Sequence, residues 1–136
     1  KDHTAKQYII SEADAVILCL PDEAAIQTAA LIDEKILIDA STAHRTHPNW
    51  TYGLPELSPV QREHIRTNRR IANPGCYPTG FTLAIRPLID QALLPKETAI
   101  FVSALSGYSG GGKAMIEQYS GNEAAACRRI LMVGWK

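Results

Sequence analysis

Four short apolar runs of strand length, DAVILCL (14–20), KILIDA (35–40), RRIA (69–72) and TAIFVSALS (98–106), alternate with segments whose apolar residues recur at helical spacing. A continuous apolar run of about four to eight residues suits a strand covered on both faces, and strands that alternate with helices pack into a mainly parallel sheet. After the first run, PDEAAIQTAALID carries acidic residues in its first turn and apolar residues at helix spacing, as a helix N-terminus favours. In SPVQREHIRTN, Ser58, Pro59 and Gln61 make a capping-box start with proline at the first helical position. The segment TGFTLAIRPLID (79–90) reads as a further helix. The expected class is therefore α/β with a mainly parallel sheet, TAIFVSALS being its fourth strand. No internal repeat or low-complexity tract interrupts the pattern.

Composition narrows what such a sheet could serve. At 46% hydrophobic and 21% charged residues, the 136-residue chain can bury a core. Its 14 basic residues balance 14 acidic ones, so electrostatics make no case for nucleic acid or an anionic membrane surface. The one basic cluster, HIRTNRR (64–70), reads as a solvated helix end. Cys19, Cys76 and Cys127 are odd in number and far apart, which argues against a disulfide framework or a zinc site. No segment reads as a secretory leader or a membrane span, so the expected compartment is a reducing cytoplasm. The opening KDHTAKQYIISEAD is a polar lead-in with no strand before it, as in a piece of something longer.

The stretch ANPGCYPTG (72–80) sets Cys76 between two prolines and two glycines. Pro74 and Gly75 suit the central positions of a type II turn, the glycine accepting a positive φ. Pro78 disfavours helix at Tyr77 yet suits the first turn of the helix that follows. Cys76 is thus expected at a strand–turn–helix junction, where the helix N-terminus favours a thiolate. A reactive nucleophile and a turn that happens to carry cysteine are both compatible with these residues alone. Cys19, inside an apolar strand, is expected to be the less accessible thiol.

In parallel sheets function gathers in the loops at the carboxyl ends of the strands. Three candidates follow strands here: STAHR (41–45), NPGCYPTG (73–80) and SGYSGGGKA (106–114). In the last, glycines free consecutive backbone N–H groups that could cradle a phosphate-bearing ligand; a flexible surface loop is the alternative. Gly107, Gly112 and Lys113 also have the spacing of a nucleotide-binding P-loop, but Ala114 stands where that motif needs a hydroxyl for magnesium. A P-loop phosphotransferase is accordingly the lesser reading.

Taken together, ILIDASTAHRTHPNWTYGLPEL, IANPGCYPTGF and SALSGYSGGGKAM resemble N-acetyl-gamma-glutamyl-phosphate reductase, in the shorter of its two sequence types. The resemblance runs in order from about Asp14 to Ala126. It implies an NADP-dependent enzyme of arginine biosynthesis that reduces an acyl phosphate to an aldehyde, a homo-oligomer when complete, with no nucleic acid or membrane partner. By it, Cys76 attacks the acyl phosphate and holds the substrate as a thioester. Arg45 would anchor the substrate; a surface arginine is the alternative. Leu20 and Pro21, with Ser106, Gly107, Ser109, Gly110 and Gly111, would border the cofactor.

The resemblance also sets expected boundaries. Residues 1–75 correspond to the carboxyl part of a Rossmann-like dinucleotide-binding domain, and 76–136 to the start of an α+β catalytic domain, with an atypical tail from about 127. It places the family's pyrophosphate loop and acid/base histidine outside this chain, which alone is expected to be catalytically silent or to stop at acylation. His44 and His47 are then weaker candidates for a base, and His3 and His64 read as surface residues. No role follows for Glu56.

Overall fold

The computed structural model of the chain describes residues 3–120 and 127–133. They form two compact units, 1–90 and 91–136, whereas the sequence places the change of domain near residue 75.

The first unit begins with helix α1 (His3–Glu12), in the segment read as a polar lead-in. Strand β1 (Ala15–Leu18), helix α2 (Asp22–Ala29) and strand β2 (Ile36–Asp39) follow the alternation seen in the sequence. The polar connection after KILIDA contains an unanticipated short strand, β3 (Thr51–Tyr52), before a single 3₁₀ turn, Pro55–Leu57. Helix α3 (Pro59–Thr67), strand β4 (Arg70–Ala72) and helix α4 (Cys76–Asp90) complete the unit.

The four strands form one parallel sheet in the order β1–β2–β4–β3. Its register puts Leu18, Asp39, Ala72 and Tyr52 in a single row at the carboxyl edge. Beyond this row Ala40 N–H donates to Leu18 O at 2.9 Å and Asn73 N–H to Asp39 O at 2.7 Å. Gly53 N–H donates to Ala72 O at 2.8 Å. The loops after all four strands therefore leave from one edge, the place where parallel sheets collect chemistry.

The core beneath that edge is small. Leu18, Ala25, Ala29, Ile32 and Leu37 form its buried cluster, with Ile10, Val16 and Trp50 packed against it. Ser58 caps α3 as its spacing predicts, its Oγ accepting from Gln61 N–H at 3.0 Å. The Gln61 side chain does not return to the cap; its amide donates to Tyr52 O and ties the helix to β3. The basic cluster is only partly a solvated helix end. Arg70 is half-buried, donates to the Ala29 and Ile32 carbonyls at 3.2 and 2.6 Å, and lies over the Trp50 ring at 5.7 Å. It serves the carboxyl end of α2, where cations are favoured.

The second unit corrects the sequence reading. The run expected as a fourth parallel strand forms β5 (Phe101–Gly107), which pairs antiparallel with β6 (Cys127–Val133) in a separate two-stranded sheet. The alternation misleads here because α4 lies between β4 and β5 as a crossover helix would, yet strand propensity does not name the partner, and β5 pairs with β6. A 3₁₀ turn, Tyr108–Gly111, and helix α5 (Gly112–Tyr119) follow β5.

Leu37 is fully buried and Ile17 is 66% exposed. Urea unfolding of the 136-residue chain should show Leu37→Ala losing about 2–5 kcal/mol, against about 0.5 kcal/mol or less for Ile17→Ala.

Candidate active site

Strand β2 ends on Asp39, whose carboxylate is shut away from solvent directly below the first candidate loop. Ser41 meets it twice, N–H to Oδ1 at 3.0 Å and Oγ–H to Oδ2 at 2.7 Å. The His44 ring closes the set, with Nδ1 2.6 Å from Oδ2. Burial alone would raise this carboxyl, but the bonds from Ser41 and His44 outweigh it and hold Asp39 below the usual carboxylate range. His44 is itself buried, its ring stacked on Trp50 at 4.0 Å and 15°. His47 is exposed and meets His44 edge-on at 6.0 Å.

The same loop is fastened to the neighbouring strand end. Thr42 donates to Asp22 Oδ1 through its N–H at 2.9 Å and to Oδ2 through its hydroxyl. These bonds, with a smaller contribution from the Arg45 charge, hold the Asp22 carboxyl below its ordinary value. Since Asp22 opens α2, the link joins the turn carrying Leu20 and Pro21 to the STAHR loop. Leu20 and Pro21 are exposed.

Arg45 then crosses to the third strand end. Its Nε donates to Asn73 O at 3.2 Å, and an Nη donates to Ala40 O at 3.4 Å. A Cβ added at Gly75 would lie 2.8 Å from the other Nη. Gly75 therefore leaves room for the guanidinium and does not serve the type II turn expected of it: among the described glycines only Gly112 has a positive φ, so Pro74–Gly75 is not a type II turn. Gly75 acts instead as the residue before the helix, its carbonyl accepting from Thr79 N–H at 3.1 Å and Thr79 Oγ at 2.8 Å.

Cys76 is the first residue of α4 and is exposed. The structure thus brings Arg45 and the turn carrying Cys76 together, at a helix N-terminus that favours negative charge. Cys19 departs from expectation: β1 ends at Leu18, and this thiol too is exposed. The run DAVILCL outlasts its strand because its last residues turn toward α2, so accessibility alone does not separate the two cysteines. His64 is exposed in the last turn of α3, and Glu56 is exposed in its 3₁₀ turn.

The glycine-rich turn belongs to the second unit. Gly112 has φ +71°, open to glycine but strained for other residues, and a Cβ at Gly111 would fall 2.5 Å from Met115 Cε. At Gly110 it would lie 3.2 Å from Ser106 Oγ. At Gly107 the nearest described atom would be Ser109 Oγ at 4.0 Å, and at Gly112 there is none within 4 Å. At Gly107 and Gly112 the backbone is thus open to close approach by another group. The P-loop setting is not met, because β5 has an antiparallel partner and Lys113 is exposed, 3.8 Å from Glu117 Oε1.

Sequence reasoning passed over Asp39, Trp50, Asp22 and Arg70. Asp39 had a legible signal: a carboxylate closing an otherwise apolar strand, with serine two and histidine five residues later.

Comparison with known proteins agrees with this architecture. Residues 1–68 match the family model for the semialdehyde dehydrogenase NAD binding domain, and residues 76–132 that for the semialdehyde dehydrogenase dimerisation domain. An N-acetyl-gamma-glutamyl-phosphate reductase from Trichormus variabilis is 48% identical over 121 residues, 88% of this chain and 38% of that protein. N-acetyl-gamma-glutamyl-phosphate reductase 2 from Pseudomonas putida is 44% identical over 136 residues, 98% of this chain and 44% of that protein. The chain thus spans 38% and 44% of the length of these relatives. Among solved structures, aspartate semialdehyde dehydrogenase II from Vibrio cholerae, complexed with ASA, aligns with a TM-score of 0.68 at 23% identity, covering 85% of this chain and 34% of that one; it shares the fold. With its first 68 of 136 residues matching the NAD binding domain model and most of the remainder the dimerisation domain model, the chain belongs to the semialdehyde dehydrogenase family.

Proposed function

We propose that the protein carrying this chain reduces N-acetyl-gamma-glutamyl phosphate to the semialdehyde with NADPH, in arginine biosynthesis, through a thioester on Cys76. The observation that carries this reading is the exposed Cys76 at the start of α4 with the Arg45 guanidinium against the preceding residue. The relatives' names supply the substrate.

Arg45 presents a planar, permanently charged fork suited to a phosphate or carboxylate of the substrate. Cys76 Sγ attacks the acyl carbon: a C–S bond forms, the C–O bond to phosphate breaks, and inorganic phosphate leaves with the electron pair. When bound, the dinucleotide supplies hydride. Cys76 later leaves as thiolate when the C–S bond breaks and the aldehyde departs. The cofactor-facing assignments are Leu20 and Pro21 at the carboxyl end of β1 and, in the second unit, Ser106, Gly107, Ser109, Gly110 and Gly111. In this reading the division of labour falls near residue 75, with dinucleotide binding before it and the catalytic part after. The dimerisation domain match supports a homo-oligomer, and a reducing cytoplasm suits a free thiol.

Mixing the 136-residue chain with N-acetyl-gamma-glutamyl phosphate should release about one equivalent of phosphate per chain, and Cys76→Ser should release none beyond spontaneous hydrolysis. Unchanged release in Cys76→Ser would remove the nucleophile. In calorimetry NADPH should bind in preference to ATP with magnesium, because Ala114 offers no hydroxyl for the metal. Tight magnesium-dependent ATP binding without an NADPH effect would restore the phosphotransferase reading.

A further inference from the structure

The residue before Arg45 is occupied in a way the proposed chemistry does not require. His44 is 6% exposed, with Nδ1 2.6 Å from Asp39 Oδ2 and its ring face on Trp50 at 4.0 Å. Asp39 is at the same time the hub of the loop, holding Ser41 through its carboxylate and Asn73 through its backbone carbonyl. Asn73 in turn accepts from Arg45 Nε. One short path thus runs from His44 to Asp39, to the backbone of the NPGC turn, and to the guanidinium beside Gly75.

A general base needs its free ring nitrogen within reach of the reacting proton. A ring packed flat on an indole and locked to a buried carboxylate is suited to a different task, holding its own backbone in place. The backbone bond from His47 N–H to His44 O at 3.2 Å and that from Trp50 N–H to His47 O at 3.0 Å carry the turn from the ring to its stacking partner. His44 therefore has both ends of its loop pinned around it, directly before the residue whose guanidinium reaches Asn73 O and Ala40 O.

We propose that His44 is a positioning residue: clamped by Asp39 and Trp50, it sets the STAHR loop so that Arg45 delivers its positive charge to the Gly75–Cys76 turn. This rests on the reading of Arg45 as the anion anchor beside the nucleophile. The clamp acts on anion recognition at Cys76 and leaves the thiol itself untouched.

Alkylation rates at Cys76 read that charge without needing turnover. Iodoacetate is anionic and iodoacetamide neutral, so their rate ratio reports local potential, and the ionisation of the thiol cancels because it enters both rates equally. At low salt, where the field is least screened, the ratio in the full chain should fall about fivefold in Arg45→Gln, with the ratio at exposed Cys19 unchanged. His44→Phe keeps a stacking ring but no donor, and should lower the ratio at Cys76 as far as Arg45→Gln. The double variant should lower it no further. His44→Asn, whose amide can donate to Asp39, should keep most of the ratio. Circular dichroism establishes that each variant is folded; should His44→Phe not fold, His44→Ala takes its place under the same criterion. A wild-type ratio in the His44 variant beside a lowered one in Arg45→Gln overturns the proposal, and so does equal loss in His44→Asn and His44→Phe. An unchanged ratio in Arg45→Gln itself overturns the anion-anchor reading, and with it the clamp.

Discussion

The Asp39 carboxylate organises the carboxyl edge of the sheet. Removing a carboxylate from water is costly unless donors replace the solvent, and here Ser41 and His44 supply them. Because the donors come from residues two and five positions ahead, satisfying the charge also fixes the course of the STAHR loop. The hydrogen bonds lower Asp39's folded pKa below its unfolded value. Their stabilisation is therefore full above the ordinary carboxylate range and is lost as pH falls through the lowered folded value.

Around this centre, the parallel register does the remaining placement. Leu18, Asp39, Ala72 and Tyr52 share one row, so three separate stretches of sequence emerge as neighbours: the turn with Leu20 and Pro21, the loop with Arg45, and the turn with Cys76. Asp22 and Thr42 join the first two, and Arg45 and Asn73 the second and third. Gly75 is small for a spatial reason, since a side chain there would occupy the space of the guanidinium.

Much of this was legible in the sequence. The apolar runs and the Ser58 cap gave β1, β2, β4, α2 and α3 nearly in place, because continuous hydrophobicity and capping chemistry are local signals. The strand β3 was missed because two residues in a polar connection carry no periodicity. β5 was assigned to the wrong sheet because strand propensity does not reveal the partner, and pairing with residues 127–133 is a long-range matter. Cys76 and Arg45 could be singled out from residue type and neighbours, whereas their juxtaposition could not, since 31 positions separate them and only the sheet register closes that gap. The clamp on His44 was hidden for the same reason: Trp50 and Asp39 lie on opposite sides of it in sequence, and their convergence depends on the turn between them.

In the proposed reaction, this edge of the sheet makes Cys76 an acyl acceptor. The most direct measurement is peptide mass spectrometry of the chain quenched in acid soon after mixing with N-acetyl-gamma-glutamyl phosphate, with NADPH omitted. The expected result is an acyl group, without phosphate, on the peptide bearing Cys76, removed by hydroxylamine as a thioester should be. An unmodified Cys76, or acyl groups spread equally over Cys19 and Cys76, would contradict it.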